Sequence, residues 1–243
     1  MPYGVYDIRS FYQSRQGRLV RRLLGDHVRQ FWENVKGLDV AGIGYAVPLL
    51  RSFENEAARV TALMPDTLGI HRWPEDGPGR AALAAEAEWP LATESVDRIL
   101  MLHALEHADH PEAVMQEAWR VLKSNGRLLL IVPHRMGLWA RADWTPFGHG
   151  TPFTSGQVRN LLQGSLFVKE RSDRALFMPP FKSFFALRSA YQFEAFGRYF
   201  FSGLCGVYIV EASKQVYAGT TVAAGVACRS KRMILAGSPA GQA

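Results

Sequence analysis

The stretch Asp97–Pro133, DRILMLHALEHADHPEAVMQEAWRVLKSNGRLLLIVP, decides the fold. Its ends, 97–103 and 127–132, are short and nearly unbroken apolar runs, the pattern of strands covered on both faces. Pro111 stands where a helix can begin, because its missing N–H is not needed in the first turn. Val114, Ala118, Val121 and Leu122 then recur at helical spacing, and Asn125-Gly126 supplies a stop. Strand, helix and strand in this order form a βαβ unit, whose right-handed crossover predicts a parallel sheet.

Upstream, Leu38–Ile43 reads as another buried strand, ending in Gly42-Ile43-Gly44-Tyr45-Ala46. Glycines suit a backbone that turns sharply and approaches a ligand or another chain segment closely. Pro48 opens the helix that follows, and Arg59–Met64 is the next strand. Residues 1–10 read as irregular. From Phe11 to Val35 the apolar positions follow helical spacing, with Gly25-Asp26 as the expected break. Arg15, Arg18, Arg22 and Arg29 share one stripe of that segment. The stripe reads first as a solvated face and second as a surface for an acidic protein; no aromatics interleave with it as nucleic-acid binding requires.

Downstream of Pro133, a loop rich in Pro, Gly and aromatics carries Trp144, His149 and Phe153. A loop leaving the carboxyl end of a central strand lies where open α/β sheets bind ligands. His149 is therefore the candidate base there, with Trp144 and Phe153 as candidate walls of a substrate pocket; a loop simply packed by its aromatics is the alternative. Thr154–Leu162 reads as a capped helix and Leu166–Met178 contains the next strand. Residues 179–203 hold an unusual density of Phe and Tyr, read as core or interface packing and as a second candidate protein-binding segment. Gly206–Val216 alternates as a last strand, and 218–243, rich in Ala, Gly and Ser, reads as a flexible tail.

Composition bounds the rest. At 243 residues the chain suits one domain with decorated ends. No run reaches the ~20 apolar residues of a membrane span, and no basic start precedes an apolar one as in a leader. Cys205 and Cys228 have no metal or redox spacing, which fits a reducing cytoplasm. The net charge of +6 permits acidic partners without requiring them.

The segment WPLATESVDRILMLHALEHADHPEAVMQEAWRVLKSNGRLLLIVP resembles the middle of a class I S-adenosylmethionine (SAM) methyltransferase of the type 11 kind. Ser95-Val96-Asp97, Leu105-Glu106-His107 and Arg120-Val121-Leu122-Lys123 before Asn125-Gly126 carry the likeness. The resemblance implies a Rossmann-like α/β fold with a mostly parallel sheet, an antiparallel last strand and helices on both faces. It implies a helical cap over residues 1–36, a domain over 37–217 and SAM as cofactor. Gly42, Gly44 and Tyr45 would then meet the methionine part of SAM, and Met64 and Pro65 the ribose and adenine. His103, Leu105 and His107 would lie on the sulfonium side, with Glu86 and Trp89 near the adenine and Tyr12 as a cap.

Where the family places acids for the ribose and the adenine amino group, this chain has Met64 and Ala84-Ala85, with Asp66 and Glu86 displaced beside them. Each charged hydrogen bond lost in this way weakens binding by ~1.5–3 kcal/mol. Two readings follow: methyl transfer from SAM to a small-molecule or protein acceptor, with His149 and His107 as acid–base candidates, or a catalytically silent fold that binds or regulates another protein. A nicotinamide oxidoreductase would need a fuller glycine fingerprint and a ribose acid. His103-x-x-Glu106-His107 also spells H-x-x-E-H, a zinc-peptidase motif. That motif needs a helix, whereas residues 97–103 read as a strand, so no metal is expected.

Overall fold

The computed structural model describes residues 4–180, 190–200 and 202–215. The expected tail and much of the aromatic segment lie outside these residues.

Seven strands form one sheet in the order β3-β2-β1-β4-β5-β7-β6. They are β1 Asp39–Gly44, β2 Arg59–Pro65, β3 Ala81–Ala84, β4 Val96–Leu102, β5 Leu122–Pro133, β6 Phe167–Ala175 and β7 Val207–Lys214. The five strands from β3 to β5 run parallel, and β7 enters antiparallel between β5 and β6. This is the Rossmann-like class I methyltransferase architecture.

Alternation along the central strands divides the core between two faces. Val40, Leu100, Leu102, Leu129 and Ile131 pack beneath α1 (Val5–Gln13), α2 (Arg15–Phe31) and the short α3 (Val47–Leu50). Ala41, Ile43, Ile99, Met101, Leu128 and Leu130 pack beneath α4 (Pro111–Val121) and α5 (Ser155–Gly164). A period of two is what a sheet covered on both sides demands. A last helix, α6, spans Ala190–Phe200.

Three local expectations are corrected. The chain is helical from Val5, not irregular to residue 10, and the break falls at Ser14 instead of Gly25-Asp26. The Ser14 side chain caps α2 by accepting from the Gly17 amide, which ends one helix and starts the next. A Cβ on Gly17 would meet the Phe11 carbonyl oxygen at 1.9 Å, so the tight corner requires glycine. Finally, α4 stops at Val121 and not at Asn125-Gly126, because Leu122 is already extended and paired with Val96.

Candidate active-site crevice

The carboxyl ends of β1 and β4 meet directly. The Tyr45 amide donates to the Leu102 carbonyl at 2.7 Å. Gly44 has φ +79°, and a Cβ there would stand 2.4 Å from the Leu102 oxygen and 2.7 Å from that of His103. Gly42 is equally confined, its missing Cβ replaced by Leu50 and Ala46 at 2.4 and 2.8 Å. The chain's own atoms thus take up the space that these glycines leave.

Side chains fill the concavity above them. Tyr12, reaching in from α1, stacks on Tyr45 with ring centres 5.9 Å apart and planes 17° apart. Its hydroxyl is 2.9 Å from Nε2 of His103, which is fully buried and has φ +52°. His71 lies 5.4 Å from Tyr45 on the outer side, and Phe147 lies 4.8 Å from His103 on the inner. Burial pushes the Tyr45 hydroxyl up to about 12, with Arg9 and Arg51 opposing that rise; burial also lowers His71 and so favours its neutral ring. About 60 Å³ remains open on the outer side, lined by Tyr12, Tyr45, His71 and Trp73 and by the charged Arg9, Arg21, Arg51, Arg72 and Glu75.

Nδ1 of His103 continues the hydrogen-bonded chain to Oε1 of Glu106 at 3.1 Å, on the 3-10 turn Leu105–His107. Residues 149–151 close over this turn. The Thr151 amide donates to the Glu106 carbonyl at 2.7 Å, and a Cβ on Gly150 would stand 3.2 Å from Nδ1 of His107. Burial lowers the His107 imidazole, partly offset by Glu106, while the His103 and His149 rings lower it further. His149 itself has Nε2 at 2.6 Å from the Asp143 carbonyl.

Of the residues singled out in the sequence, Tyr12, Gly44, Tyr45 and His103 come together in the crevice, with Met64 and Gly42 in its packed surroundings. His107 lies on the adjoining turn, and His149 on the segment that closes over it. Glu86, Trp89 and Leu105 do not join the crevice. Trp89 and Leu105 are in the opposite core, the Trp89 amide donating to Glu117, and Glu86 accepts from the His110 amide. Pro65 ends β2 and turns the chain toward Gly69. Phe153 lines a groove of about 390 Å³ between α4 and α5, whereas Trp144 is half exposed outside it. His71, Trp73 and Phe147 were not anticipated; they lie in segments with no periodicity to reveal them.

Residues 38–130 match the family model described as a methyltransferase domain. No curated protein sequence matches the chain. Among solved structures, a candidate methyltransferase of Haloferax volcanii, in complex with the Trm112 methyltransferase activator, shares 14% identity at a TM-score of 0.61, covering 86% of this chain and 98% of its own. A SAM-dependent methyltransferase from Mesorhizobium loti shares 16% at 0.58, covering 78% and 96%. The [4+2]-cyclase SpnF shares 16% at 0.56, covering 84% and 85%, so the same fold also hosts other chemistry.

The Mesorhizobium loti neighbour is SAM-dependent, which makes SAM the group to measure the crevice against. The crevice in the arrangement described has no room for it, since ligand pockets of that size need roughly 300 Å³ or more. Met64 offers no carboxylate, Asp66 turns its Oδ1 to the neighbouring Thr67 amide, and four arginines against one glutamate line the mouth.

Proposed function

Taking as premise that residues 38–130 carry a type 11-like methyltransferase domain on a class I methyltransferase fold, we propose that the chain is a SAM-dependent methyltransferase whose crevice is shut by its own N-terminal helix. The observation that carries this reading is the Tyr12 ring, lying between Tyr45 and His103 where the cofactor would enter. The helices of the first 36 residues act as the cap and the sheet with its helices as the catalytic unit. SAM, when bound, supplies a methyl group on a sulfonium. The chain's task is to hold donor and acceptor in line and exclude water. His149 and His107 stand ready to accept a proton from the acceptor, a small molecule or protein, with Trp144 and Phe153 beside it. Among the described residues no helix is long and apolar enough to cross a membrane, and a reducing cytoplasm suits the buried Cys205 thiol, which burial pushes up to about 11.

An opening equilibrium gives the test its magnitude. Apparent affinity falls by the fraction of molecules that are open. Tyr12→Phe removes one hydrogen bond, ~0.5–1.5 kcal/mol, and leaves the stacked ring in place. Calorimetric titration with SAM and S-adenosylhomocysteine is expected to show weak binding to the parent and up to about tenfold tighter binding to the variant. Absence of binding to either protein refutes the enzyme reading.

The filled glycine loop and the missing ribose acid favour a second reading, a silent methyltransferase fold that serves another protein. The Arg stripe and the aromatic segment are the surfaces proposed for contact. Arg15, Arg18 and Arg22 are exposed, while Arg29 is held by Glu56 at 2.8 Å. The Haloferax neighbour, solved in complex with an activator protein, supports a protein partner for the fold under either reading.

A further inference from the structure

The turn after β4 carries a cluster of which the proposed methyl transfer uses His107 alone. Ring nitrogens of His103 and His107 and a carboxylate oxygen of Glu106 lie within 4.8 Å of one another. His103 and Glu106 are buried to 0% and 2% exposure. Oε2 of Glu106 and Nε2 of His107 are both buried without a hydrogen-bond partner among the described residues. Buried polar atoms are ordinarily satisfied, and an unsatisfied carboxylate oxygen and an unsatisfied ring nitrogen on adjacent residues of one turn call for a further donor or a cation.

We infer that His103, Glu106 and His107 form a site for one divalent cation of the zinc class, with three protein ligands and an open fourth position. The 3.1 Å between Nδ1 of His103 and Oε1 of Glu106 is close to the ~3.3 Å that separates two ligands of a tetrahedral ion bound at about 2.0–2.1 Å. The widest separation shortens by about 1.5 Å on binding, by the same geometry. Two imidazoles and a carboxylate select zinc, cobalt or nickel over magnesium or calcium, which prefer all-oxygen shells.

Tyr12 is the orienting neighbour. Its hydroxyl meets Nε2 of His103 and either donates or accepts, so Nδ1 is free to carry a proton toward Glu106 or present its lone pair to an ion. The H-x-x-E-H spacing reads as metal-binding only on a helix. Here a 3-10 turn, entered through the left-handed backbone of His103, gathers the same three residues without one.

The inference is tested without cofactor, so its outcome is separate from that of the methyltransferase reading. The purified chain is freed of metal by chelation and titrated with Zn²⁺ against a chromophoric chelator, and with Co²⁺ while the visible spectrum is recorded. One equivalent of each is expected, with the absorption of tetrahedral cobalt. Glu106→Gln and His107→Asn are each expected to weaken binding about 100-fold or more, judged against the 10–100-fold cost of losing an outer partner. His110→Asn, an exposed histidine beyond the cluster, is expected to leave it unchanged. Should Glu106→Gln fail to fold by circular dichroism, the partly exposed His107→Asn decides. Absence of a stoichiometric site in the parent, or a site that survives His107→Asn, overturns the assignment.

Discussion

Two concavities of this molecule differ in what the chain has done with them. The crevice at the carboxyl ends of β1 and β4 keeps about 60 Å³, whereas the groove between α5 and the outer strands β6 and β7 keeps about 570 Å³. The first is made by glycine backbone and refilled by aromatic rings from four separate segments, reaching the close packing of an interior. The second is bordered by Arg159, Lys169 and Arg174 with Asp173 as their one acidic neighbour, a charged lining that favours hydration over close packing. Free volume therefore sits away from the strand ends where open α/β sheets bind ligands, and the crevice there is filled by side chains.

The largest effect expected from probing this contrast is at Gly44. Gly44→Ala forces a Cβ against two carbonyl oxygens at positive φ, adding overpacking of ~1–3 kcal/mol to left-handed strain of ~1–2 kcal/mol. A loss of about 3 kcal/mol in chemical denaturation is expected; a neutral result would show the crevice to be loose and already able to open.

A smaller effect is expected beneath the opposite face. Hydrogen bonding from Arg120, and less so from the Trp89 amide, outweighs burial and holds Glu117 below the usual carboxylate range. A carboxylate depressed on folding contributes stability above its unfolded pKa and loses it as pH falls through the lower folded value. Melting curves of the parent from pH 7 downward should therefore decline in that acid range, and Glu117→Gln should flatten that part of the decline while costing ~1.5–3 kcal/mol at neutral pH. SAM affinity should not change, because Trp89 lies away from the crevice; a change would return Trp89 to the cofactor site.

The smallest effect is expected in the open groove. Ser172 is exposed on β6, and Ser172→Phe should alter stability by less than ~0.5 kcal/mol. A larger loss in thermal unfolding would mean that the groove is less free than its volume indicates.

The same contrast explains what the sequence made legible. β4, β5 and β1 were readable because buried parallel strands are continuous apolar runs, and α5 because Thr154 and Gln157 form a capping box. β3 was not, since Ala81-Ala82-Leu83-Ala84 has no strand propensity to read. The break at Ser14 lost to Gly25 because glycine punctuates more loudly than serine; yet α2 runs through Gly25, whose missing Cβ has nothing within 4 Å. The glycine loop and the His103 turn were correctly placed at adjacent strand ends. Their filling was illegible, because Tyr12 meets His103 across 91 positions of chain and His71 lies in a segment of turns. Periodicity reports which face is buried, not which distant ring will occupy a hollow.

The antiparallel entry of β7 between β5 and β6 also dictates an order of assembly. Until Val207–Lys214 leaves the ribosome, β6 has no neighbour and one side of β5 stays unpaired. Lys214 then secures the new strand, its Nζ bonded at 2.9 Å to both Glu94 and the Leu122 carbonyl and lying over the Trp119 ring. Nascent chains halted short of that lysine should expose β5 as a sticky edge, so the last-made strand of the sheet governs whether synthesis yields native protein or aggregate.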